Sequence, residues 1–260
     1  MKIALYQGPG CVNDLEAGFA HLRAQAVSAK AQGADLLILP EMYLSGYNIG
    51  PQAALALAIP QSGLAPAQAA AADLNIALVF GYPELVAGQV ANAAVLIGPD
   101  GRILLNYRKT HLFGDLDRDM FKQRGQDFPV AELGGLKIGL LICYDIEFPE
   151  PARTLALAGV DLLLVPTAQM EPYEQVARHV IPARAYENQV YLAYANHSGA
   201  ENGLGYIGLS SICGPNGAVL AMAGTGEEML FAEIDTAHHQ AVRRADPFFT
   251  GRRPRPGPAA

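Results

Sequence analysis

Three segments of this 260-residue chain recur in its second half, and they do so in the same order. KIALYQ from Lys2 resembles KIGLLI from Lys137, GADLLILPEM from Gly33 resembles GVDLLLVPTA from Gly159, and LIGPDGRIL from Leu96 resembles SICGPNGAVL from Ser211. The period is far too long for a solenoid, so the pattern describes two related halves of one fold. Each half reads strand, helix, strand, helix, then hairpin strands. DLLILP and DLLLVP are continuous apolar runs, the form taken by strands buried on both faces. The Ala-rich segment from Leu15 to Gln32 predicts a helix with Gly33 as its C-terminal cap. GPDG and GPNG place Pro at the second turn position between apolar runs, which predicts tight turns joining antiparallel strands. Two mixed sheets, each with helices on one face, bury their other faces against each other. The expected fold is therefore α/β, a four-layer α-β-β-α sandwich with an internal pseudo-two-fold, forming one domain over residues 1–260.

Composition allows that reading and removes others. With 51% hydrophobic and 17% charged residues the chain can bury a large core. A formal charge of −7 argues against a nucleic-acid footprint, and the only basic cluster, Arg243, Arg244, Arg252, Arg253 and Arg255, lies near the C-terminus. Cys11, Cys143 and Cys213 show no CxxC spacing, so neither a disulfide framework nor a zinc ribbon is indicated and a reducing cytoplasm fits. The N-terminal MKIALYQGPG lacks the features of a signal peptide, and no run approaches the ~20 apolar residues of a membrane span. A soluble cytoplasmic protein without a membrane partner is expected. The segment from Arg243, RRADPFFTGRRPRPGPAA, reads as non-helical and unable to form a core of its own. Residues 243–260 are therefore expected to pack across a partner subunit, in a homodimer or a higher even oligomer.

The chemistry concentrates at strand ends. Glu41 follows LLILP and Cys143 follows KIGLLI, and ligands in sheets of this kind sit outside the carboxyl ends of the strands. At the repeat position of Glu41 the second half carries Thr167, as expected if one site is built across both halves. A thiol needs a nearby base or cation to act as a nucleophile. Glu41 can take the thiol proton and pass it to a leaving group if burial raises its pKa. Lys109, in NYRKTHLF, can place an ammonium beside a developing oxyanion, with the backbone N–H of Tyr144 as second donor. Nucleophile, base and oxyanion donors together describe an acyl-transfer site. Each also has a bland reading: a cysteine closing a core layer, a glutamate in a solvated turn, a surface lysine.

LPEMYLSGY, YRKTHLF and GLLICYDIEFPE resemble the three signature stretches of the nitrilase (carbon–nitrogen hydrolase) superfamily, whose Glu, Lys and Cys match Glu41, Lys109 and Cys143. The likeness covers essentially the whole chain, and within the superfamily it is greatest to bacterial aliphatic amidases of the stereoselective amidase and 5-aminopentanamidase group. The resemblance implies the α-β-β-α sandwich, dimers or larger assemblies, and hydrolysis of a small aliphatic carboxamide to acid and ammonia through a cysteine thioester. No metal or organic cofactor is implied. Nitrile or N-carbamoyl hydrolysis is the alternative inside the superfamily. The chain departs from the pattern once: many members carry a second active-site Glu downstream of the Lys, and HLFGDLDRDMF offers Asp117, one methylene shorter. Its accessory role would be to orient Lys109 or the substrate amide; its bland reading is a solvated acidic loop. Asp115, Asp117 and Asp119 alternate like a calcium loop but lack the required Gly and Glu.

Other features carry less. GLGYIG, residues 203–208, spells G-x-G-x-x-G but follows a polar loop and opens no helix, so a dinucleotide fingerprint is unsupported. His111 could pair with Cys143 as a protease-like dyad, and a non-catalytic amide-binding or interaction protein is the reading from another class. Tyr47, Gln169 and Met170 are expected to line the pocket mouth. Glu187 and Asn196, in stretches that recur in the family, are further candidates for substrate binding.

Overall fold

The computed structural model describes residues 1–253. In chain order the first half contains β1 (Lys2–Gln7), α1 (Leu15–Ala31), β2 (Leu36–Ile38), α2 (Gly50–Leu57), α3 (Ala65–Leu74), β3 (Ala77–Val86), β4 (Gln89–Ile97), β5 (Ile103–Arg108) and α4 (Gly114–Met120). The second half contains β6 (Val130–Leu133), β7 (Leu136–Leu140), α5 (Pro149–Leu157), β8 (Leu162–Pro166), α6 (Ile181–Asn188), β9 (Tyr191–Ala195), β10 (Ala200–Glu201), β11 (Leu204–Gly205), β12 (Ser211–Cys213) and β13 (Val219–Met222). The chain closes with β14 (Glu228–Glu233), α7 (Thr236–Ala245) and α8 (Phe248–Gly251).

The strands form two six-stranded sheets, ordered β14-β1-β2-β3-β4-β5 and β6-β7-β8-β9-β12-β13. In each, three parallel strands continue into an antiparallel pair, and the outermost strand beside the first parallel one is antiparallel to it. The sheets are thus copies of one topology, as the repeat requires. Even the hairpin turns match. Gly101 and Gly217 both adopt positive φ (79° and 78°), and each turn follows a register shift, at Leu96/Ile97 and at Ile212/Cys213.

Alternation along the strands sorts side chains into layers. Ile3, Leu5, Leu36, Ile38, Ala77 and Val79 face the second sheet and join its Ile138, Leu140, Leu162 and Leu164 in one core. Ala4, Tyr6, Leu37, Leu78 and Phe80 face the other way and are covered by Leu22, Ala26 and Ala29 of α1 and by Ala67, Ala70 and Ala71 of α3. Small side chains on these helices permit close approach to the sheet. Ala152, Leu155, Ile181 and Ala185 of α5 and α6 cover the second sheet in the same way. Each fully buried Leu or Ile contributes about 1.5–3 kcal/mol. The four-layer sandwich with its pseudo-two-fold is observed. Helix α1 begins at Asp14, whose carboxylate accepts from Ala17 N at 3.0 Å, and ends beside Gly33 at φ 79°.

The C-terminal segment departs from expectation within the described residues. Asp235 caps α7 by accepting from Ala237 N (2.8 Å), and His239 is buried with Nε2 2.7 Å from Gln189 O. Arg243 also reaches Gln189 O, and Phe249 lies against the Arg153 and Arg243 guanidiniums. Pro247 enforces the break between α7 and α8. The segment is therefore helical up to Ala245 and packs on its own chain; the expected role of residues 254–260 falls outside the described residues.

One close approach ties fold to site. Gly81 of β3 donates its N–H to Pro40 O at 2.9 Å, and a Cβ there would stand 2.2 Å from Met42 N and 2.6 Å from Glu41 Cα. No side chain can be accommodated unless the Glu41 turn moves. Gly81→Ala is expected to cost about 1–3 kcal/mol, the usual range for overpacking. The expected outcome is a thermal midpoint lower by several degrees together with loss of turnover. An unchanged midpoint with unchanged turnover would show that β3 can retreat.

Candidate active site

Glu41, Lys109 and Cys143 arrive from three strand ends. The ladder of β2 and β3 continues through Leu39, whose N–H reaches Val79 O, and then the chain turns at Pro40 to present Glu41. Lys109 follows β5 directly, fixed by its N–H to Asn92 O (2.8 Å). Cys143 lies just beyond β7, where Leu141 N still pairs with Leu164 O before the backbone turns into a single 3₁₀ turn over Cys143–Glu147. Cys143 itself has φ 44° and Met42, beside Glu41, has φ 51°. For side-chain-bearing residues this left-handed region costs about 1–2 kcal/mol, and it tends to be found at functional sites.

Two of these groups, Glu41 and Lys109, meet in a buried network with Asp117. Lys109 Nζ donates to Glu41 Oε1 (2.8 Å) and Asp117 Oδ2 (2.7 Å), and all three side chains have 0% exposure. Asn92 Nδ2 donates to the same Glu41 Oε1 at 2.6 Å, while Glu41 Oε2 is buried without a hydrogen-bond partner. Asp117 is further held by the Tyr47 hydroxyl (2.6 Å) and the Phe113 N–H (2.8 Å). Cys143 Sγ stands 3.5 Å from Gln169 Oε1. The N–H of Tyr144 lies in the first turn of the 3₁₀ segment, where such donors have no partner within the turn.

Electrostatics follow from this burial. Burial raises the pKa of Glu41, Lys109 opposes the rise, and the charge of Asp117 adds to it; the net shift is upward. Burial disfavours the Lys109 ammonium, but Asp117 and Glu41 outweigh it and hold the group well above the ordinary lysine value. Burial and then the charge of Glu41 push the Cys143 thiol well above its usual range, with Lys109 offsetting part of this. The resting site therefore holds a cation, a protonated thiol and a carboxyl whose proton affinity exceeds that of a free glutamate.

The other candidate residues divide. Tyr47 and Asp117 belong to the network. Gln169 contacts the thiol. Met170 packs in a cluster with Met42, Tyr47, Leu112 and Tyr206 at one side of the site. Asn196 supports Gln169 instead of lining the pocket: its Oδ1 accepts from Gln169 N (2.7 Å) and its Nδ2 donates to Gln169 O (3.2 Å). Glu187 is paired with Arg184. Its carboxylate accepts from Arg184 (2.9 Å), and the same guanidinium donates to the carbonyls of Ile146 (3.0 Å) and Glu147 (2.7 Å). It therefore buttresses the turn under Cys143. His111 is engaged elsewhere too, with Nδ1 2.8 Å from Asp145 and its ring stacked on Phe148 at 4.4 Å. Among the described residues no histidine hydrogen-bonds Cys143, so the dyad reading has no geometric support.

Sequence reasoning missed several contributors. Asn92 is a polar interruption inside the apolar strand β4, which was the available signal. His197, next to Asn196 at the end of β9, places Nε2 2.7 Å from Glu41 O. Glu201 of β10 accepts from the N–H groups of Tyr47 (2.8 Å) and Asn48 (3.0 Å) and from the Tyr206 hydroxyl (2.9 Å). Asp145 joins the cysteine turn to the lysine segment, accepting from Ile142 N (3.1 Å), Tyr107 OH (2.7 Å), Thr110 Oγ1 (2.7 Å) and His111 N (2.8 Å).

The family description Carbon-nitrogen hydrolase matches residues 2–244. The chain is 49% identical over 257 residues to a Pseudomonas protegens protein named Hydrolase in pqqF 5′ region, covering 98% of this chain and 90% of that one. It is 38% identical to an (R)-stereoselective amidase of a Pseudomonas species, covering 97% and 92%. A crystal structure of the NitN amidase from Nesterenkonia sp. AN1 superposes with a TM-score of 0.85 at 35% identity, covering 96% of this chain and 99% of that one. Other structures of that amidase show acrylamide added at its active-site cysteine and butyramide bound to a variant.

The role of Asp145 is open to measurement. Asp145→Ala leaves one buried and one half-buried N–H and two hydroxyls without their acceptor, and breaking such a network is expected to cost about 3 kcal/mol. Urea unfolding should show the lowered midpoint; a midpoint equal to that of the parent chain would show that the turn does not depend on this carboxylate.

Proposed function

The chain belongs to the carbon–nitrogen hydrolase family, and we propose that it hydrolyses a small aliphatic carboxamide to the carboxylic acid and ammonia through a thioester on Cys143. The observation that carries this reading is the state of Glu41. One carboxyl oxygen is held by Lys109 and Asn92, the other is buried and unpartnered, and the charge of the carboxylate as a whole acts on the Cys143 thiol. A carboxyl with one fixed oxygen and one free one is equipped to carry a proton.

As the sulfur–carbon bond forms, the thiol proton passes to Glu41 Oε2 and the carbonyl π electrons move to oxygen. Lys109 Nζ and the Tyr144 N–H stabilise that oxyanion. When the carbonyl re-forms the C–N bond breaks, and Glu41 delivers its proton so that ammonia leaves. Water then attacks the thioester, Glu41 takes a proton from it, and that proton returns to the departing sulfur as the acid is released. Asp117 holds the Lys109 ammonium charged and aimed at the oxyanion throughout. The amide ligands described in the Nesterenkonia structures support this substrate class.

We also read the chain as a cytoplasmic homodimer or higher even oligomer, with the segment from Arg243 at the subunit contact. The support is a partly exposed Phe248, in ring contact with the exposed Tyr186. No helix among the described residues is long and apolar enough to cross a membrane. Phe248→Asp is expected to lower the mass measured by light scattering to that of a smaller assembly. An unchanged mass would remove this segment from the contact.

The mechanism makes separable demands. Cys143→Ala should abolish turnover and covalent trapping together, because the bonding atom is gone. Glu41→Gln keeps size but removes the proton carrier, with an expected loss of ~10²–10⁴-fold. Lys109→Ala should lose roughly 10²–10³-fold through the oxyanion. His111→Ala should retain turnover. Ammonia release from a panel of short amides, with intact-mass spectrometry during turnover, measures all four. Acyl mass on a peptide lacking Cys143, or a Glu41→Gln enzyme of parental rate, overturns the assignment.

A further inference from the structure

Gln169 is held in front of the nucleophile from both its ends, and its orientation has a chemical meaning. Its peptide is clamped by Asn196 on both N–H and C=O, and Asn196 is itself fixed through Nδ2 to Gly208 O (2.8 Å). Its side-chain Nε2 lies 3.4 Å from Glu147 Oε1, and its Oε1 lies 3.5 Å from Cys143 Sγ. The two ends of a carboxamide have almost the same shape, so the partners decide which end faces where. Glu147 Oε1 accepts from the amide nitrogen, which turns the oxygen toward the sulfur. Gln169 is buried, with 4% exposure, so that oxygen has no solvent to fall back on.

We propose that Gln169 is a specificity-determining residue that reads the N–H of the scissile amide, and that Glu147 is the positioning residue that sets its orientation. The inference rests on the amide-hydrolase reading of the site and deepens it. In the resting enzyme the S–H group is the donor facing Gln169 Oε1. Attack transfers that proton to Glu41 and leaves the oxygen without a donor. A buried acceptor so orphaned is costly, and an N–H of the substrate amide, brought beside the sulfur by the reaction, replaces the lost donor. An ester places an alkoxy oxygen there and a nitrile has no N–H; either leaves Gln169 Oε1 unpaired. Sites built to bond a substrate N–H reject analogues lacking it by this mechanism.

The test compares kcat/KM for butyramide, methyl butyrate and butyronitrile, since esters are intrinsically more reactive and only the change in ratio between variants is diagnostic. Gln169→Met keeps length but removes the acceptor, and the amide-to-ester ratio should fall roughly 10- to 100-fold, the worth of one buried hydrogen bond. Ester turnover in the same variant reports that the protein is folded and its nucleophile intact. Glu147→Gln, at a half-buried position, offers Gln169 a partner that can donate as well as accept, and the ratio should fall in the same direction. Butyronitrile turnover should stay below that of butyramide in the parent and gain on it in both variants. An unchanged ratio in Gln169→Met, or equal losses for amide and ester, overturns the proposal while leaving the amidase reading standing. A ratio that falls in Gln169→Met but not in Glu147→Gln overturns the role of Glu147. A parent enzyme that hydrolyses the ester and not the amide overturns both the amidase reading and this inference.

Discussion

Lys109 carries its charge with no exposed surface, between Glu41 and Asp117, which are equally buried. Placing an ammonium in such surroundings costs several kcal/mol even after relaxation, and it is tolerated only where carboxylates and further hydrogen bonds surround it. The fold must therefore bring two acidic side chains, one from the turn after β2 and one from α4, to the end of β5. Much of the architecture near the site serves this requirement. Tyr47 and the Phe113 N–H hold Asp117, Asn92 holds Glu41, and Glu201 holds the backbone of Tyr47. Each member has at least one partner in the cluster, which rigidifies the site, and Glu41 Oε2 is among the oxygens the cluster leaves unpaired.

The repeat explains how one site comes to be assembled from two halves. Glu41 corresponds to Thr167, and Cys143 corresponds to Gly8, so each half supplies a reactive group at one strand end and an inert residue at the other. The inert positions still take part through their backbones. Thr167 O accepts from Glu41 N (3.4 Å), and His197 bridges Gly8 O (3.3 Å) and Glu41 O (2.7 Å). Substitution of Gly8 is restricted as well, since a Cβ there would fall 2.0 Å from the Tyr6 hydroxyl oxygen. Duplication gives the frame, and divergence at two strand ends gives the chemistry.

These relations set what a sequence can disclose. The layers were legible because burial on both faces leaves continuous apolar runs, and the turns because Gly and Pro have narrow backbone preferences. Glu41, Lys109 and Cys143 were legible from their places at strand ends and from the motifs around them. Asn92, His197 and Glu201 were not, because their partners lie 51, 156 and 154 residues away in the chain and no local rule connects them. The partner of Glu187 was not legible either: its link to the site runs through Arg184 to the Ile146 and Glu147 carbonyls, a contact between α6 and the cysteine turn. The C-terminal segment was read as non-helical from its Pro and Arg content, whereas α7 runs to Ala245 and α8 spans Phe248–Gly251. The buried His239 and the ring of Phe249 between two guanidiniums instead give α7 and α8 a surface on their own chain.

The strained backbone at Cys143 makes sense only against that support. A strand end in ordinary extended geometry would send the next side chain along the alternation of the sheet. At φ 44° the thiol is turned out of that alternation toward Gln169 and the charge of Glu41. Asp145 holds the turn by bonding the N–H of Ile142 on one side and the lysine segment on the other, so the strain is carried by the same contacts that align nucleophile and cation. Burial, then the charge of Glu41, pushes the pKa of that thiol well above its usual range. Under the proposed mechanism, a bound carbonyl draws electron density from sulfur while Glu41 accepts the proton. On that reading, a thiol that is strained and buried at rest is made reactive by the substrate itself.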